Sequence, residues 1–147
     1  MSYVYYNPNP ENDDDIDCVV RAICKLMDMS WDDAYMWISI QGAMMHRIAI
    51  GNSVWSAFLE SRGYSRHYIF DSCPDCYTVK DFCYDHPKGK YLLGVVVNHP
   101  RQYSAMDSGQ VITGNHAVTV VDGDYYDAWD SGNEVPLYYW SKERRRL

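Results

Sequence analysis

The sequence predicts an α+β fold, with helices in its first part and a β-sheet in its last third. Two observations carry this. Val19 to Met29 is an almost wholly apolar run interrupted only by Arg21, Lys25 and Asp28, at helical spacing. From Tyr91 onward the pattern shifts to short β-branched and aromatic runs separated by Gly/Asp-rich turns: Tyr91–Val97, His116–Val121, Tyr125–Trp129 and Val135–Trp140.

Taken in order, residues 1–17 read as extended chain, because Asn7-Pro8-Asn9-Pro10 and the following acidic cluster disfavour a helix. Residues 18–29 form a first, central helix, buried on most sides. Ser30 with Asp33 signals the start of a second, with Trp31, Ala34, Tyr35, Ile38 and Met45 on one face. A third starts near Asn52 or Ser53, turns Val54, Trp55, Phe58 and Leu59 inward, and stops at Gly63. Arg66–Phe70 reads as a short strand. Thr78 caps a short fourth helix ending near His86, before Pro87. The stretch from His99 to Gly114 is long enough to be a functional loop. The four later runs predict an antiparallel sheet, and residues 1–147, without repeats or low-complexity linkers, predict a single domain.

Composition narrows the function classes. The formal charge of −7 disfavours a nucleic-acid partner, and the basic cluster Lys142-Glu143-Arg144-Arg145-Arg146 reads as a solvated tail. No apolar run approaches a membrane span. The first residues lack the charged and apolar regions of a secretory signal, so a cytoplasmic setting is expected, with all five cysteines as thiols.

Cys18 stands where the first helix begins. Unpaired N–H groups and the positive end of the helix dipole favour a thiolate there, and an imidazolium nearby favours it further. Asp17 and the acids before it oppose ionisation. His116 opens a strand after Gly114-Asn115, and carboxylates follow on the next strand at Asp127 and Asp130. Asp130 is symmetric with His116 about Gly123, so a three-residue turn there sets the two opposite each other. Asp130 is therefore the expected orienting acid and Asp127 the reserve. A two-residue Asp-Gly turn would put Trp129 opposite His116 instead. Together these residues describe a thiol nucleophile, a base and an orienting acid.

Five segments carry a family resemblance: Asp17-Cys18-Val-Val-Arg-Ala-Ile, Ser30-Trp31-Asp-Asp-Ala-Tyr, Pro87-Lys-Gly-Lys-Tyr-Leu-Leu, Asn115-His116-Ala-Val-Thr-Val-Val-Asp-Gly and Tyr126-Asp-Ala-Trp-Asp130. The chain resembles small phage-encoded, papain-like proteins related in plan to the C39 (bacteriocin-processing) cysteine peptidases. The resemblance implies a papain-like cysteine proteinase fold, with the helix carrying Cys18 packed on the sheet. It also implies a Cys18, His116, Asp130 triad and a side-chain amide six residues before the nucleophile to hold the oxyanion. That position is Asn12, with Asn9 in reserve. The chain departs from the peptidases in having Val19 after the cysteine and Ser131, not proline, after Asp130.

The expected activity is that of a thiol hydrolase, a peptidase, isopeptidase or amidase acting on a protein or peptide in a bacterial host cytoplasm, without a cofactor. The alternative is a catalytically inactive binding protein of the same fold that sequesters a host factor. One further pattern, Cys73-x2-Cys76-x6-Cys83-x2-His86, could hold zinc, but its central spacer is short for a zinc ribbon or finger. It reads first as a turn thiol pair followed by a helix whose cysteine packs inward.

Overall fold

The computed structural model describes residues 1–13, 16–70, 75–97 and 116–142. The expected loop from His99 to Gly114, Cys73, and the basic cluster beyond Lys142 lie outside them. The elements run β1 (Tyr3–Tyr5), α1 (Cys18–Met27), α2 (Trp31–Met45), α3 (Asn52–Ser61), β2 (Tyr64–Tyr68), α4 (Val79–Asp85), β3 (Lys90–Val96), β4 (His116–Val121), β5 (Asp124–Asp127) and β6 (Val135–Lys142).

Helix starts follow local chemistry. The Ser30 hydroxyl accepts from the Asp33 N–H, and Thr78 with Asp81 forms a full capping box. α1 stops at Asp28, which takes a left-handed conformation (φ 54°) while its carboxylate pairs with Lys90 Nζ at 2.8 Å.

The strands form one sheet in the order β1-β5-β4-β3-β6-β2. It is mixed rather than antiparallel, because β1 runs parallel to β5 with Tyr3 against Tyr125 and Tyr5 against Asp127. Tyr3-Val4-Tyr5 is β-prone, and it adds an edge strand before Pro8 and Pro10 divert the chain. β2 sits two residues earlier than expected, since Gly63, at positive φ, turns the chain out of α3 straight into pairing with β6.

Alternation along the strands builds two cores. On one face Leu92, Ala117, Tyr138 and Trp140 pack against α1, α2 and α3. On the other, Leu93, Val95, Val118, Val120 and Tyr125 pack against Val79, Phe82 and Cys83 of α4. Each fully buried Leu, Val or Phe contributes about 1.5–3 kcal/mol. The Thr119 hydroxyl donates to the Ala22 carbonyl at 2.6 Å, which ties α1 to the middle of β4. Tyr138 lies flat over Gly94, where a Cβ would come within 2.2 Å of the ring.

The polar stripe of α1 is fully solvated only at its end, Asp28. Arg21 is buried, and the Lys25 ammonium stands 4.1 Å from the centre of the Tyr126 ring. Among the described residues no helix is long and apolar enough to cross a membrane.

Candidate active site

The β4–β5 connection decides which acid meets His116. Val121 pairs with Asp124, Val120 with Tyr125 and Thr119 with Tyr126, so the turn is the two residues Asp122-Gly123. Both have positive φ, 48° and 82°, the geometry whose twist suits a right-handed hairpin. Asp122 also accepts from the Gly89 N–H at 2.9 Å, which holds the turn in place. Continued outward, this register sets Trp129 opposite His116, and their rings lie 4.8 Å apart. Asp127 becomes the diagonal neighbour of His116.

The acid on the imidazole is accordingly Asp127, not Asp130. His116 Nε2 bonds Asp127 Oδ2 at 2.6 Å. The Ser131 hydroxyl donates to the same oxygen at 2.7 Å, and the Ala128 N–H donates to Oδ1 at 2.8 Å. Asp130 is exposed instead. It accepts from the Tyr125 hydroxyl at 2.6 Å and from the Gly132 N–H at 3.1 Å, and closes the turn after β5. The bond from Tyr125, followed by that from Gly132, lowers its carboxyl pKa.

Cys18 is the first residue of α1 and is half buried. Burial is the largest influence on its thiol and opposes ionisation. The hydrogen bond and charge of His116, the Ala117 N–H and the charge of Arg21 outweigh it, so the pKa lies below the ordinary thiol value. For His116 burial is again the largest influence and disfavours the charge. Hydrogen bonds that the ring makes to Asp127 and Cys18 prevail and raise the imidazole pKa to about 9. With Nε2 on the carboxylate, Nδ1 is the nitrogen left for the thiol. The two shifts favour a thiolate–imidazolium pair.

Asp17 precedes the helix, but its carboxylate does not cap it. It pairs with Arg21 Nη1 and accepts from Asn9 Nδ2 at 3.1 Å and Trp31 Nε1 at 3.0 Å. Arg21 Nη2 reaches towards Asp127 Oδ1 at 3.8 Å. The guanidinium thus offsets the negative charge expected to oppose the thiolate. An Asp and an Arg four apart at the head of an apolar helix are the sequence signal for this pair, since buried charges need partners. Nothing comparable in the sequence marks Ser131, whose role depends on the turn.

Cys18 and His116 open into a cleft of about 130 Å³ that is otherwise lined mainly by apolar side chains, with Trp55, Ile50, Tyr138 and Asn52 among them. Neither expected oxyanion donor lines it. Asn12 is exposed at φ 55°, its Oδ1 accepting from the Tyr5 hydroxyl at 3.3 Å. Asn9 spends its amide on Asp17 and on the Glu11 N–H. Short asparagine side chains are captured here by local turns before they can reach the thiol.

The Cys76, Cys83 and His86 side chains, which the sequence assigns first to structural roles and not to zinc, are each engaged elsewhere. Cys76 is disulfide-bonded, so it offers no thiolate to a metal. Cys83 is sealed in the second core, its pKa pushed up to about 11 chiefly by burial. The His86 ring stacks 3.8 Å from Phe82, and its Nδ1 bonds the Phe82 carbonyl. Among the described residues no group of three or more His, Cys, Asp or Glu side chains is arranged to hold a metal ion. The bond at Cys76 also corrects the expectation that all five cysteines are thiols. Compartment suggested that expectation, whereas bridging depends on how closely the backbone brings two sulfurs together. Cys18, Cys24 and Cys83 are free.

No family model, curated protein or solved structure matches the chain.

Proposed function

We propose that this chain is a papain-like thiol hydrolase, a peptidase, isopeptidase or amidase acting by acyl transfer through Cys18, His116 and Asp127. One observation carries the reading: a buried imidazole held at 2.6 Å by a carboxylate opens into the same cleft as a thiol at a helix N-terminus. A cysteine kept only for packing needs no such partner. Cys24, its neighbour one and a half turns on, is buried without one, and burial pushes its pKa up to about 12.

In the proposed reaction the Cys18 thiolate attacks the carbonyl carbon and forms a C–S bond. The imidazolium gives its proton to the departing amine as the C–N bond breaks. Neutral His116 then takes a proton from water, which attacks the thioester and releases the acid and the thiol. Asp127 fixes the tautomer and steadies the imidazolium. The N–H of Cys18, in the first helical turn and without an intrahelical acceptor, is one donor to the oxyanion. The small volume of the cleft suits a short acyl group beside the bond that is cleaved.

A screen of fluorogenic peptide amides against wild type and Cys18→Ala tests the reading. Turnover that disappears in the variant is expected; turnover indifferent to Cys18 removes it. One observation favours the alternative of a binding protein without activity. Met36, Trp37, Ile40 and Met44 stand exposed along α2, more apolar surface than a hydrolase of this plan needs.

A further inference from the structure

We infer that Asn52 supplies the side-chain donor to the carbonyl oxygen under attack, the role that Asn9 and Asn12 are not positioned to fill. The inference rests on the thiol-hydrolase reading and adds a residue to it. Asn52 is the first residue of α3 and lines the same cleft as Cys18 and His116. Trp55 lies one turn along the helix on the same side.

The indole N–H of Trp55 donates to Asn52 Oδ1 at 3.0 Å. An indole can only donate, so the group facing it must be the oxygen of the carboxamide and not the nitrogen. The amide is planar, and fixing its oxygen on Trp55 turns Nδ2, with two hydrogens, away from the helix. Trp55 is itself buried and wedged against Tyr138 and Trp140, so the orientation is held by packing.

Apart from the thiol and the imidazole, the lining offers three side-chain polar groups: Asn52, Tyr138 and the Trp55 indole, whose N–H is already spent on Asn52. The Tyr138 ring packs over Gly94, which places its hydroxyl beside that glycine. Asn52 is thus the neutral donor with free hydrogens. In an apolar cleft a preset donor of this kind is worth most where negative charge appears during the reaction.

Two reagents separate this role from mere support of the thiolate. p-Nitrophenyl acetate acylates a thiolate through a tetrahedral oxyanion: the C–S bond forms, then the C–O bond breaks and nitrophenolate leaves. Iodoacetamide alkylates in one displacement of iodide, with no oxyanion. The rate of each at Cys18 is followed by nitrophenolate release and by mass of the Cys18 peptide. Asn52→Ala is expected to lower the ratio of acylation to alkylation by about 10²-fold. Asn52→Asp, which keeps an acceptor for Trp55 but lacks the amide hydrogens, is expected to do the same. Asn52 is exposed, but Asn52→Ala also removes the acceptor of the buried Trp55 N–H; Asn52→Asp keeps that acceptor, and the thermal midpoint checks both variants. A ratio that survives in either variant overturns the assignment. A wild-type protein that alkylates but never acylates removes the hydrolase reading, and this role with it.

Discussion

Asp127 and Asp130 differ by three positions and in nearly every physical respect. Asp127 is 3% exposed and meets an imidazole, a hydroxyl, a backbone N–H and, at longer range, a guanidinium. Asp130 is exposed and closes a turn. Replacing Asp127 by Asn removes the charge that sustains the imidazolium. The His116 pKa is then expected to fall from about 9 towards the ordinary value of about 6.5, read by NMR titration of its ring protons. Asp130→Asn is expected to leave that titration in place, and equal effects of the two changes would contradict the assignment. At this scale the places of Cys18 and His116 were legible in the sequence, because a helix start and a strand start are local signals. The acid was not, because a one-residue difference in turn length exchanges the carboxylate for an indole.

The hairpin β4–β5 is the element on which that outcome depends. Asp122 and Gly123 both adopt positive φ, and glycine is the residue that does so without strain. Gly123→Ala is expected to cost about 1–2 kcal/mol in urea unfolding. It is also expected to weaken the site, since the turn sets the register between His116 and Asp127. Unchanged stability would mean that the turn relaxes into another form and does not fix the register. The helices and the four later strands were readable from periodicity and caps such as Ser30 and Thr78. β1 was not readable as part of the sheet, since three extended residues name no partner. Their place beside β5 comes from tertiary pairing, through bonds such as Tyr6 N–H to the Asp127 carbonyl at 2.8 Å.

Over the whole molecule, one buried chain of charges joins the parts that carry the site. Asn9 and Trp31 hold Asp17, Asp17 holds Arg21, Arg21 reaches Asp127, and Asp127 holds His116. The entry segment, α1, α2 and the two site strands are therefore linked at a single guanidinium. Arg21→Ala leaves the buried Asp17 carboxylate without its cation and takes the second cation from Asp127, which keeps His116, at a cost of about 3–5 kcal/mol. In a chain of this length that lowers the thermal midpoint by about 10 °C. Lys25→Ala, which loses a cation–π contact and its packing, is expected to cost about 1 kcal/mol. Similar costs for both would show that Arg21 is not the hub. The sequence displayed Arg21 as part of a polar stripe, and only the fold reveals that the stripe faces other charges and aromatic rings.

The central claim is that Cys18 is a thiolate activated by His116, and the rate of its alkylation by iodoacetamide against pH tests this most directly. Because the thiol pKa is lowered, the reactive form is present on the acid side of its usual range. Cys24 and Cys83 are buried with raised pKa values and do not compete. Peptide mass spectrometry of wild type should show fast labelling of Cys18 below neutral pH, lost in His116→Ala. Slow labelling in both proteins that rises only near the free-thiol pKa of about 8.5 would contradict the claim.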